Sequence, residues 1–92
     1  MKVRFAANAL SDLRDIGAHI AGDDPVRALS FAAELEDRCR SLAEFPKRFP
    51  VAYATRGRVI RKVVHGDYLI FYTVAPTEVQ IARVLHGSRN WR

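Results

Sequence analysis

Residues 58–74 carry the sequence RVIRKVVHGDYLIFYTV, the strongest structural signal in the chain. Both halves of this stretch are rich in β-branched and aromatic residues, which favour extended backbone. His65, Gly66 and Asp67 separate the halves and supply residue types common in tight turns. The stretch therefore predicts two antiparallel strands joined by a hairpin turn.

Further strands are predicted on both sides of this hairpin. APTE at residues 75–78 supplies a second turn, and VQIARVLH at residues 79–86 predicts a last strand. KVRF at residues 2–5 alternates polar and apolar side chains, which predicts a short first strand. FPKRFPVAYATRG at residues 45–57 contains two prolines and a glycine, so it is interpreted as an exposed connection.

Apolar residues at helical spacing predict a first helix after the first strand. Asn8 is the expected N-terminal cap and Gly22 the expected stop. Asp12, Arg14 and Asp15 are assigned to the polar side of this helix. The apolar stripe consists of Leu10, Leu13, Ile16 and Ile20.

A second helix is predicted from the segment GDDP onward. Asp24 is a suitable N-cap, and Pro25 at the first helical position loses no hydrogen bond. Pro46 is expected to end the helix. Its apolar stripe consists of Ala28, Phe31, Ala32, Leu35, Cys39 and Leu42.

The element order is thus β-α-α-β-β-β in a single domain spanning residues 1–92. The expected fold is α+β, with an N-terminal helical hairpin packed on one face of a small antiparallel sheet. Strand alternation places Val79, Ile81, Arg83 and Leu85 on one face of the last strand. Basic side chains are mixed into strand positions, which is unfavourable unless one sheet face is open to solvent or to a ligand.

The charge of the chain is concentrated in its second half. The net charge is +5, yet residues 46–92 hold nine basic residues against only Asp67 and Glu78. Such an imbalance favours an anionic partner. The first ten residues show no secretory signal, and no apolar run approaches the ~20 residues that a membrane span needs. The cytoplasm is therefore the expected location.

Few residues are candidates for chemistry. His86 lies between Arg83 and Arg89, where it could act as a general acid or base on a phosphodiester, or simply hydrogen-bond locally at a strand end. Cys39 is expected in the core. The sequence has no metal-ligand spacing and no phosphate-binding loop, so no metal or cofactor is expected. The remaining candidates are His19, expected in solvent; His65, expected to be structural; and Tyr68, Phe71 and Tyr72, which could stack on bases or pack in the core.

Three segments together resemble the RelE/ParE family of bacterial toxins from type II toxin–antitoxin pairs. They are residues 9–46, the stretch GRVIRKVVHGDYLIFYTV at 57–74, and VQIARVLHGSRNW at 79–91. The resemblance implies a small basic α+β toxin neutralised by a labile acidic antitoxin. The antitoxin is expected to lay an apolar helix and an extended segment against the toxin, adding to a sheet edge. Members either cut messenger RNA on the ribosome or poison DNA gyrase.

The resemblance favours the ParE-like, gyrase-poisoning branch. RelE-like nucleases carry an arginine where this chain has Leu69, and often a tyrosine near the C-terminus, where this chain has Trp91. His86 and Lys62 match positions used in the nucleases, but the ending LHGSR at residues 85–89 resembles ParE. A RelE-like endoribonuclease and a non-toxic nucleic-acid-binding module are the alternatives. The expected target-binding residues are Arg58, Arg61, Lys62, Arg83, His86 and Arg89.

Overall fold

The computed structural model describes residues 1–88 of the 92-residue chain. Two helices follow a short strand and precede four further strands, so the α+β class is confirmed. The elements are β1 (Lys2–Phe5), α1 (Ala7–Asp23), α2 (Pro25–Ser41), β2 (Val51–Thr55), β3 (Arg58–His65), β4 (Tyr68–Val74) and β5 (Glu78–His86). The five strands form one sheet in the order β1-β5-β4-β3-β2. In the part of the chain that the structure describes, no helix is long and apolar enough to cross a membrane.

The sheet differs from the predicted one in two respects. It is mixed, because β1 pairs with β5 in parallel while the other pairs are antiparallel. The predicted connection at residues 45–57 also contains β2. Its prolines precede the strand, and a tight turn at Arg56 and Gly57, with φ of 50° and 75°, returns the chain into β3. A glycine adopts this left-handed backbone without the steric cost that other residues incur.

The boundaries of the two helices were predicted with unequal success. Asp24 caps α2 by accepting a hydrogen bond from the Arg27 backbone N–H at 3.0 Å, and Pro25 is the first helical residue. Both expectations are confirmed. The predicted cap of α1 is wrong, since Ala6 occupies the N-cap position without a side-chain hydrogen bond. Gly22 lies inside the helix, which continues to Asp23.

The main core lies between the helices and one face of the sheet. The stripe of α2 supplies most of its helical side chains, but Ala32 is exposed rather than buried. On α1, Leu10 is 47% exposed, and the rest of the predicted stripe is half-buried. The fully enclosed members of this core are Ala9, Leu35, Cys39, Leu42, Ile70, Tyr72, Val79, Ile81 and Val84.

A β-bulge in β5 changes which side chains share a face. Phe71 pairs with Arg83, and the next residue, Tyr72, pairs with Ile81, so Ala82 has no partner on β4. The predicted alternation therefore fails beyond Ile81: Val84 joins the main core, and Leu85 packs on the opposite face. An inserted residue shifts the period-2 pattern by one, which a regular strand template does not anticipate. The opposite face carries its own small cluster of Ile60, Phe71 and Leu85.

Candidate functional site

The structure distributes the predicted target-binding residues over three places. Arg58 and Arg61 line a cavity at the end of the sheet where β3 begins. Lys62 and Arg83 flank Phe71 in the middle of the sheet, because both pair with that residue across neighbouring strands. His86 lies at the opposite end. Arg89 lies outside the described residues.

Arg83 is held by a partner that the sequence did not suggest. Its Nε and Nη2 atoms donate to the two carboxylate oxygens of Asp12 at 2.8 and 2.9 Å. The Val84 backbone N–H donates to the same carboxylate at 2.9 Å. Asp12 is 8% exposed, so its assignment to the polar side of α1 was wrong. These hydrogen bonds raise the pKa of Arg83 above its ordinary value, and the ion pair compensates its charge.

Asp12 also accepts a backbone hydrogen bond from the edge of β5 beyond the residues that pair with β1. Pairing with β1 ends at Phe5, and the Ala6 N–H donates to the Ile81 carbonyl as the chain turns into α1. The Val84 N–H would otherwise be a buried donor without a strand partner, which is costly. The first turns of α1 place the Asp12 carboxylate against it. The bidentate ion pair therefore ties α1 to β5 at the bulge.

His86 is engaged by its own local turn. Its Nδ1 lies 2.7 Å from Ser88 Oγ and accepts the Ser88 backbone N–H at 3.1 Å. An atom that accepts from a backbone N–H carries no hydrogen, which places the proton of the neutral ring on Nε2. The ring also meets Tyr68 edge-on, with centroids 5.3 Å apart. A cavity of about 290 Å³ beside it is lined by Asp12, Asp15, Ile16, His19, Tyr68, Val84, Leu85 and His86.

The cavity at the other end of the sheet has a basic lining. Arg61 Nη1 donates to the carbonyls of Lys47 at 3.1 Å and Phe49 at 2.7 Å. The Tyr72 hydroxyl donates to the Pro46 carbonyl at 2.6 Å, so the segment before β2 is fastened to the sheet at both points. The cavity measures about 440 Å³, and its charged lining consists of Lys47, Arg58 and Arg61.

Most of the remaining candidate residues pack against other side chains of the fold. Phe71 and Tyr72 are 2% and 0% exposed, which supports core packing over base stacking. Leu69 packs against the small cluster on the open sheet face, so its position is apolar. Phe31 of α2 contacts both Tyr68 and His65, with centroids 5.5 and 5.7 Å away.

Three further expectations concern the Cys39 thiol, metal binding and His19. Cys39 is fully buried, and burial raises the pKa of its thiol to about 12, as expected for a core residue. Within residues 1–88, no group of three or more His, Cys, Asp or Glu side chains is placed to hold a metal ion. His19 is exposed, as expected, although it borders the cavity beside His86.

Comparison with solved structures defines the class to which this fold belongs. The chain is similar to a chain of the chromosomal ParDE TA system from P. aeruginosa, with a TM-score of 0.80 at 19% identity, covering 94% of this chain and 95% of that one. It is also similar to a chain of the toxin–antitoxin complex RelBE2 from Mycobacterium tuberculosis, with a TM-score of 0.65 at 24% identity, covering 92% and 88%. The chain therefore shares its fold with chains found in these two toxin–antitoxin structures.

Sequence comparison identifies the family. The model of the ParE toxin of type II toxin–antitoxin systems, parDE, matches residues 3–91. Toxin RelE2 of Caulobacter vibrioides is 38% identical over 88 residues, which cover 96% of this chain and 97% of that protein. The chain belongs to the ParE toxin family, within the wider RelE/ParE group, and the resemblance noted in its sequence is confirmed. The matching family model carries the name ParE and a similar protein carries the name RelE2. The choice between gyrase and the ribosome as target therefore rests on the chemistry of the site.

Proposed function

We propose that this protein is a ParE-like toxin that inhibits growth by poisoning DNA gyrase and is kept inactive by a cognate acidic antitoxin. The observation that carries the choice of gyrase is the Asp12–Arg83 ion pair. Cleavage of messenger RNA requires cationic or hydrogen-bonding groups where charge develops on the phosphate. The charge of Arg83 is already compensated by a carboxylate at 2.8 Å.

Two further positions support the same choice. Leu69 is apolar and packed, and it occupies the position where the nucleases of the group carry an arginine. His86 presents Nε2–H, because its Nδ1 is occupied by Ser88. A general base must offer an unprotonated nitrogen to its substrate. In this conformation His86 can donate a hydrogen bond in recognition, and it would have to break the Ser88 contact before accepting a proton.

The antitoxin partner is supported by surfaces that the fold leaves uncovered. Val26 and Leu29 on α2 are 78% and 77% exposed, which makes them suitable contacts for an apolar helix. Among the described strands, β2 pairs with β3 alone, so its outer edge can accept an extended segment. The solved structures similar to this chain include a toxin–antitoxin complex. A cytoplasmic site of action follows from targets of this kind.

The proposal is tested by inducing the toxin and assaying the two activities separately. With purified gyrase and supercoiled plasmid, we expect the toxin to accumulate covalent gyrase–DNA complexes that release broken DNA on denaturation. With programmed ribosomes, we expect intact messenger RNA. Messages cut in the ribosome assay, with no gyrase-dependent breaks, would reverse the assignment to the ribonuclease alternative. Absence of growth arrest together with salt-sensitive binding to nucleic acid would indicate the non-toxic binding module.

His86→Gln is the variant that separates the two mechanisms. Glutamine retains a hydrogen-bond donor, so gyrase poisoning and growth arrest should remain close to those of the unmodified toxin. A ribonuclease that used His86 in proton transfer would lose roughly 10²–10⁴-fold in cleavage rate. Arg89→Ala should weaken a gyrase poison, because a charge in recognition is lost. Growth arrest that disappears with His86→Gln but survives Arg89→Ala would contradict the proposal.

A further inference from the structure

The basic cavity at the start of β3 is separate from the surface around His86 and has the features of an anion site. It is lined by Lys47, Arg58 and Arg61, together with the polar side chains of Thr73 and Gln80, and no acidic residue is among its described lining residues. Its volume of about 440 Å³ accommodates a phosphate group with its substituents. The first β3 residue, Arg58, is placed at the rim by the Arg56–Gly57 turn.

The three cations of this cavity are not equivalent. Arg61 is fixed by the Lys47 and Phe49 carbonyls, which hold its charge in place without neutralising it. Within residues 1–88, the side chains of Lys47 and Arg58 form no ion pair or hydrogen bond, so both remain available to a ligand. An acidic side chain beside the cavity, Glu78, is bound to Arg4 at 3.1 Å and accepts a hydrogen bond from the lining residue Gln80 at 3.0 Å. The site therefore combines one positioned charge with two available donors.

The position of the cavity in the sheet indicates which kind of anion it fits. Its strand residues come from β3, β4 and β5, and each of these strands already has neighbours on both sides. An acidic peptide cannot add a strand there, and a large apolar side chain would find only Val59, Val74 and Ala75 as apolar lining side chains. A compact anion held by a guanidinium and an ammonium group is the better match.

We propose that this cavity binds a backbone phosphate of duplex DNA. The choice of duplex DNA over other phosphates rests on the proposed function, because gyrase holds such a duplex. The toxin would then contact the DNA of the gyrase–DNA complex through Lys47 and Arg58, and the enzyme through other surfaces. Arg61 supplies a fixed charge, but it is unsuitable for a test because its removal would also release the segment at Lys47–Phe49.

The test measures binding of the full-length toxin, freed of antitoxin, to a labelled 20-base-pair duplex over a range of KCl concentrations. Each phosphate contact contributes about 0.9 to the slope of log K against log salt, which is about eightfold in affinity at ~0.1 M salt. Arg58→Gln and Lys47→Gln should each show this loss of affinity and slope. Arg58→Lys should keep the slope. Arg14→Gln is the matched control, since it removes one exposed charge on α1, away from the cavity lining.

Several outcomes would overturn the proposal. Equal losses for Arg14→Gln and Arg58→Gln would show that only the total charge matters. Tighter binding of a single-stranded RNA or a polyglutamate peptide than of the duplex, with the same dependence on Arg58, would assign the cavity to that partner instead. Gyrase poisoning that persists while Arg58→Gln leaves duplex binding unchanged would reject the site and keep the proposed function. Arg58-dependent duplex binding without gyrase-dependent breaks would reject the proposed function and keep the site.

Discussion

Asp12 illustrates what a single side chain contributes to this fold. One carboxylate accepts three hydrogen bonds, from Arg83 and from the Val84 N–H, and it does so across 71 positions in sequence. Spacing within α1 cannot reveal this role, because the partner lies on the last strand and is reached only at the bulge. An aspartate between apolar helix positions looks like an ordinary polar residue until its distant partner is known.

Replacement of Asp12 by asparagine should destabilise the protein by about 1–3 kcal/mol. The amide cannot accept from all three donors, and Arg83 loses its counter-charge, although that side chain is 38% exposed and regains some hydration. Urea denaturation measures the change. Asp15→Asn is the matched control on the same helix, since Asp15 is exposed, and it should change stability by less than about 0.5 kcal/mol. Equal stability of the two variants would contradict the assigned role of Asp12.

The raised pKa of Cys39 makes the free energy of unfolding depend on pH in the alkaline range. Burial, followed by the nearby Glu36 carboxylate, raises the pKa of the thiol from 9.0 to about 12. Burial also raises the pKa of Tyr72 above 10.0. A raised folded-state pKa means that the unfolded chain loses its proton first. The contribution of the protonated Cys39 thiol to the free energy of unfolding is therefore complete below pH 9. It is lost as the pH rises from 9 to 12, at up to about 1.4 kcal/mol per pH unit.

Urea titrations at a series of pH values check this dependence. In Cys39→Ala, the decline in stability between pH 9 and 12 should be shallower than in the unmodified protein, because only the Tyr72 contribution and those of other groups remain. Iodoacetamide should react with Cys39 far more slowly in the native protein than in urea at pH 8. Parallel pH curves for the two proteins would disprove the assignment.

At the scale of whole elements, α2 was the most predictable part of the chain. Its cap, its first-turn proline and most of its buried stripe carry local signals, so no distant partner is needed to recognise them. β2 was missed because the prolines and glycine beside it are typical of a connection. Its pairing with β3 stabilises it as a strand, and local composition does not reveal that pairing. The parallel pairing of β1 with β5 was missed because the four residues of β1 carry no sequence signal that specifies a partner so distant in the chain.

The two faces of α2 allow a matched pair of substitutions. Leu35 is 1% exposed, and Leu35→Ala should cost about 2–5 kcal/mol and abolish toxicity by unfolding. Leu29 is 77% exposed, and Leu29→Ala should change stability by less than about 0.5 kcal/mol. Thermal or urea unfolding measures both. A fully folded, non-toxic Leu35→Ala would place Leu35 at a target interface instead of in the core.

Considered as a whole, the molecule has a small core and a strongly uneven charge. Among the described residues, the basic side chains named above lie at one end of the sheet (Lys47, Arg58 and Arg61) and in its middle (Lys62 and Arg83). A chain of this length buries only roughly 60–65% of its unfolded surface. A ligand that binds the native state alone therefore makes a proportionally large contribution to stability.

A cognate antitoxin should stabilise the toxin by ~4 kcal/mol at a free concentration a thousandfold above Kd. Thermal unfolding of the toxin with and without the antitoxin measures this effect. Leu29→Ala should reduce the stabilisation, because it removes an exposed apolar contact from the proposed helix-binding face without weakening the free toxin. Identical melting temperatures with and without the antitoxin would be evidence against the complex.

The pairing of β1 with β5 has a consequence for synthesis on the ribosome. During synthesis Lys2–Phe5 leaves the ribosome before the other described elements, yet its only described partner strand is Glu78–His86, the last of them in sequence. β5 also supplies the neighbour of β4 and the two groups that engage Asp12. Every translation product that stops before residue 78 therefore lacks a central strand and cannot form this sheet. The folded sheet therefore forms only after β5 has been synthesised.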